Sequence, residues 1–142
     1  MDIKDVLNGI DTDFIKKGSA SINSEDVKKV LDRANDITEK VIKSSSLQRF
    51  LKDVALLISI VKDYWSGKHR DVPWWVIAAL AFALLYVLSP IDLIPDIVPV
   101  IGLLDDALVM GLCLALIEQD LLRYQGWKKA QSKIEGQTAE AQ

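Results

Sequence analysis

Basic side chains are missing from one long stretch of this 142-residue chain: none lies between Arg70 and Arg123, although residues 1–71 hold 13 of the 17 Lys and Arg and 12 of the 20 acids. The net charge of -3 says little about partners, but nothing in the sequence makes the basic, aromatic-interleaved face that nucleic acid demands. Cysteine is reduced to Cys113, which rules out an intramolecular disulfide and leaves a small packing residue inside an apolar run. Histidine is reduced to His69, which stands on a polar stretch, reads as a surface residue and has no nucleophile constellation beside it. The seven glycines form no phosphate-cradling loop. The start, MDIKDVLNGIDTDF, lacks a basic opening followed by an apolar core, which argues against a cleaved secretory signal.

What is present is helical periodicity. Ile3, Val6, Leu7, Ile10 and Phe14 share a helical face, and Gly18 is placed to end that helix in a left-handed cap. After a linker, Asn23 or Ser24 can cap a helix with Glu25 and Asp26 in its first turn and the stripe Val27, Val30, Leu31, Ala34, Ile37, Val41 on one side. Ser44, Ser45 and Ser46 break the pattern. Leu47, Phe50, Leu51, Val54, Ile58, Val61 and Trp65 then repeat it up to Gly67, with Arg49, Lys52, Asp53, Lys62 and Asp63 on the polar side.

From Val72 to Ile91 the chain carries twenty uncharged residues, opening with Pro73 and the Trp74-Trp75 pair. A helix stopping near Leu88 would be about 24 Å long, short of a hydrocarbon core of roughly 30 Å. Pro90, Pro95 and Pro99 forbid one continuous helix, so the chain turns there. A second apolar arm runs from about Ile101 to Leu122, with Asp105 and Asp106 near its start, and ends in the basic LLRYQGWKKAQSK stretch; residues after Lys133 read as a loose tail.

The expectation is an all-α chain of about five helices in three parts: an amphipathic helical region at 1–71, an apolar helical hairpin at 72–122 and a polar C-terminal tail at 123–142. A helix apolar on every side is hard for a few neighbours to cover, which favours embedding the hairpin in a membrane. Lys62, Lys68 and Arg70 before the first arm, and Arg123, Lys128 and Lys129 after the second, would put both termini on the cytoplasmic side of a cell membrane. Asp105 and Asp106 oppose insertion at roughly 2.5–3.5 kcal/mol each. A buried helical pair in a soluble bundle is the competing architecture.

The residues richest in information are Ser89-Pro90-Ile91-Asp92-Leu93-Ile94-Pro95-Asp96, then Pro99, Gly102 and Asp105-Asp106. With P-W-W before them, the stretch from Asp71 through Leu112 resembles the YkvA-like domain of unknown function, number 1232 in its series, over about a third of the chain. The resemblance implies a helical, membrane-associated, bacterial-type domain that also occurs fused to other modules, including a membrane-bound ubiquitin ligase in animals. It implies no activity, and no fused module is visible here.

Read from the residues alone, Ser89 can cap a short turn with Pro90 first and Asp92 third, Asp96 can cap a turn leading to Pro99, and Gly102 suits tight packing. If that turn folds onto the second arm, Asp92, Asp96, Asp105 and Asp106 approach one another and raise one another's pKa unless a cation intervenes. Oxygen ligands would suit Mg²⁺, Ca²⁺ or Mn²⁺; zinc is disfavoured. No other cofactor and no catalytic constellation is evident. The leading expectation is a membrane-associated scaffold or interaction protein whose amphipathic helices meet a protein partner or a second copy. An ion- or proton-binding membrane protein comes second, and a divalent-ion-dependent hydrolase or transferase last.

Overall fold

The helix with the least polar sequence lies at the middle of the structure. The computed structural model describes residues 15–89 and 106–141, with side chains to Ile134. Among these the chain is helical throughout: a segment at residues 15–20, then α1 (Ser24–Asp32), α2 (Ala34–Lys43), a 3-10 turn (Gln48–Phe50), α3 (Leu51–Ser66), α4 (Trp74–Leu88), α5 (Asp106–Leu116) and α6 (Glu118–Ala141). That makes seven helical elements after the first segment among the described residues, where the expected five, counting the first helix, leave four. The apolar stripe from Val27 to Val41 divides at Arg33, whose φ of −108° and ψ of 17° leave helical geometry. The second apolar arm breaks at Ile117, between α5 and α6. The 3-10 turn supplies the third addition.

Capping chemistry sets the first boundary. The Asp26 amide donates to Asn23 Oδ1 at 2.9 Å and the Asn23 amide to Asp26 Oδ2 at 3.0 Å, a reciprocal box with Asp in place of the usual Glu. Gly67 ends α3 at φ 85°, a left-handed position that favours glycine. Gly18 does not play that part. It lies within the helical segment, and a Cβ there would meet the Phe82 ring at 2.3 Å, so close packing of this segment on α4 requires its missing side chain.

The apolar arm from Val72 forms a helix too short to cross a membrane. α4 has 15 residues, roughly 22 Å of helix against a hydrocarbon core of roughly 30 Å, and among the described residues no helix is long and apolar enough to cross a membrane. Every residue from Val76 to Val87 is buried within the chain's own fold. α1, α2, α3 and α5 all pack on α4, and the Gly18 segment presses against Phe82. Each amphipathic helix contributes its stripe: Val27 and Val30 from α1, Ile37 and Val41 from α2, Val54, Leu57 and Ile58 from α3. At about 1.5–3 kcal/mol for each large side chain removed from water, this shared core dominates the stability of the bundle. A helix apolar all round is what a central position demands, and five neighbours suffice to cover it.

The pairing of the two apolar arms is present. α4 packs on α5, where the buried Cys113 thiol donates to the Ala79 carbonyl at 3.5 Å. Lys40 of α2 donates to the Leu88 carbonyl at 3.3 Å, placing a cation at the negative end of α4. α6 continues past Lys133 to Ala141.

Candidate functional site

Of the residues singled out by sequence, Ser89 and Asp106 fall within the described structure. Ser89 closes α4, its amide donating to the Leu85 carbonyl at 2.8 Å. Asp106 stands half-buried in the first turn of α5, where the helix dipole favours an anion. Pro90, Asp92, Pro95, Asp96, Pro99, Gly102 and Asp105 lie outside the described residues. Among the described residues no group of three or more His, Cys, Asp or Glu side chains could hold a metal ion.

The structure builds a polar cluster elsewhere, where α3 meets α6. Asp63, 7% exposed, looks like part of the solvated face of its helix in sequence but is buried. The Tyr124 hydroxyl donates to Asp63 Oδ2 at 2.5 Å and Lys128 Nζ donates to the same oxygen at 3.1 Å, while Ser59 Oγ lies 2.6 Å from the Tyr124 hydroxyl. Burial by itself would raise the Asp63 carboxyl; the hydrogen bonds from Tyr124 and Lys128, with the charges of Lys128 and Lys68, outweigh it and hold the acid below its usual range. Burial, reinforced by the bond to the Asp63 anion, pushes the Tyr124 hydroxyl up to about 12. Both shifts move away from neutrality, so this pair keeps its protons fixed near pH 7 and acts as a fastening rather than a proton relay.

His69 belongs to the same joint and is not the surface residue its polar neighbours imply. It is 6% exposed, its ring edge-on to Tyr124 at 5.3 Å between centroids and 4.6 Å from Trp127. Its backbone amide donates to the Asp63 carbonyl at 3.1 Å, and its Nε2 has no hydrogen-bond partner among the described residues. The imidazole is therefore held by aromatic packing. The sequence signal for this joint was the helical spacing of Ile117, Leu121, Tyr124 and Lys128, hidden inside a stretch that reads as polar.

A second feature lies at the start of α4. Trp74 and Trp75 are 44% and 51% exposed, and they border a groove of about 590 Å³ whose other walls include Ile15, Lys16, Ala20 and Leu116. The Tyr64 ring packs 6.5 Å from that of Trp74, and the Arg70 guanidinium lies over Tyr64 at 5.6 Å. Exposed Trp65 follows Tyr64 near the end of α3. Exposed tryptophans, a cation above the stack and an apolar hollow thus share one end of the bundle.

Residues 76–112, running from the buried part of α4 into α5, match the family model described as "Protein of unknown function (DUF1232)". This stretch is thus similar to the YkvA-like DUF1232 domain. Over 88 residues it is 27% identical to "Uncharacterized membrane protein YkvA" of Bacillus subtilis (strain 168), a match spanning 62% of this chain and 83% of that one. No solved structure matches. The DUF1232 match takes in the central helix, the proline-aspartate stretch and most of α5, whereas Asp63, His69 and Tyr124 lie outside it.

Proposed function

We propose that this protein is a small helical interaction module that associates with a membrane surface through the tryptophan-bearing end of its bundle. The observation that carries the reading is the exposure of Trp74 and Trp75 at the rim of an apolar groove. Tryptophan in water leaves a large apolar ring unburied, and the bilayer interface is the environment that suits a ring with one polar atom. Exposed Lys16, Lys17, Lys68 and Arg70 supply cations in neighbouring stretches, countered there by Asp71. The similarity to a protein named as a membrane protein supports the same placement. In this reading the protein lies in the interface plane on the cytoplasmic leaflet, with both termini on that side, and its remaining surface is free for a protein partner.

Flotation with vesicles of phosphatidylglycerol and phosphatidylcholine tests the reading. The wild-type chain floats, and the Trp74→Ala/Trp75→Ala pair reduces the bound fraction at least tenfold with little change in melting temperature. Equal flotation of both proteins rejects it. A divalent-ion site from Asp92, Asp96, Asp105 and Asp106 remains a separate proposal resting on sequence. Its test is a rise in melting temperature with millimolar Mg²⁺, Ca²⁺ or Mn²⁺ that disappears in Asp105→Asn and Asp106→Asn.

A further inference from the structure

We infer that the groove beside Trp74 and Trp75 takes one acyl chain of an anionic phospholipid, with Lys16 meeting its phosphate; this rests on the membrane reading above. The hollow has a volume of about 590 Å³, within the roughly 300–1,000 Å³ of small-molecule sites. Its buried lining is apolar, formed by Ile15, Ala78 and Ala79, with half-buried Leu116 beside them. The hydroxyl that reaches it, that of Ser19, is already committed to the Ile15 carbonyl at 2.6 Å. A polar ligand or a water cluster would therefore find little to bond inside, and a hydrocarbon chain loses nothing by entering.

The rim carries the opposite chemistry. The Lys16 side chain lines the groove and is exposed, so an ammonium stands where a chain entering head-outward leaves its phosphate. Arg70, stacked on Tyr64 beside Trp74, adds a second cation on the α4 side. An apolar interior with a basic mouth and interfacial tryptophans matches a phospholipid in a leaflet: tail inward, phosphate at the lysine, indole rings at head-group level. A peptide helix would instead present a row of side chains needing a longer trough with several hollows.

Native mass spectrometry of the full chain, mixed with phosphatidylglycerol and separated from excess lipid, tests this alongside flotation. The wild type retains one phosphatidylglycerol per chain. Ala20→Phe fills the groove from an exposed position, cuts retention at least tenfold and still floats, whereas Ala20→Ser retains lipid as the wild type does. Lys16→Glu lowers retention several-fold. Equal retention by Ala20→Phe and wild type would overturn the inference, as would a dimer whose formation excludes lipid. Flotation of a wild type that retains no lipid removes the groove assignment alone; a wild type that fails to float removes the membrane reading as well.

Discussion

The Tyr124 hydroxyl reaches Asp63 across 61 positions of sequence and donates to a carboxylate oxygen that also receives Lys128. One buried charge thereby ties α6 to α3. Tyr124→Phe leaves the ring in place and removes the donor, so the carboxylate stays buried with one partner fewer. The expected cost is about 1.5–3 kcal/mol, the range for hydrogen bonds to charged groups. Chemical denaturation reads it, and a cycle with Lys128→Met should show non-additivity because both donors share one oxygen.

The same pair fixes the shape of the stability profile against pH. Asp63 is held below its ordinary value of 3.8, so its contribution is present above that value and is lost as pH falls through the lower folded-state pKa. Tyr124 is raised from 10.0 to about 12, so its contribution is complete below pH 10 and is lost as pH rises from there towards 12. Denaturation midpoints across pH should show both losses, and Tyr124→Phe should abolish the tyrosine part of the alkaline loss. An unchanged alkaline limb in that variant would contradict the assignment.

Cys113 should be chemically silent while the chain is folded. Burial against α4 pushes its thiol up to about 12, which leaves almost no thiolate at pH 8. Thiol-reactive dye should label the protein only at the rate of unfolding, and labelling should become immediate in denaturant. Rapid labelling of the native chain would show the α4–α5 contact to be open.

Gly18→Ala sets two effects against each other. Alanine gains up to about 1 kcal/mol of helix propensity over glycine, but its methyl would fall 2.3 Å from the Phe82 ring in a packed core. Overpacking of this kind costs about 1–3 kcal/mol, so net destabilisation is expected. Phe82→Leu should be less harmful in the Gly18→Ala background than in the wild type, since the smaller side chain gives the methyl room.

Much of the bundle was legible in the residues. The Asn23 cap, the break at Ser44–Ser46, the end of the third stripe at Gly67 and the apolar stripes of α1 to α3 follow from local chemistry that sequence displays directly. The position of α4 did not, because apolarity on every side is common to a central core helix and a membrane span. Its 15-residue length and the three unpartnered stripes before it were the clues that favoured the core. The Asp63 joint was hidden for another reason. An aspartate among lysines on a helix looks solvated, and what buries it lies on α6, far along the chain, so its pairing is a property of tertiary packing. His69 follows the same logic: its polar neighbours are exposed while its own ring packs against Tyr124 and Trp127.

The order of the helices also bears on how the chain is made. Three of the helices that enclose α4 are encoded before it, so during synthesis α1, α2 and α3 leave the ribosome first, and domains generally form from that end. The most water-averse stretch of the protein thus emerges to find most of its cradle already translated, and it is exposed to chaperones or insertion machinery only until α5 arrives to close the remaining side.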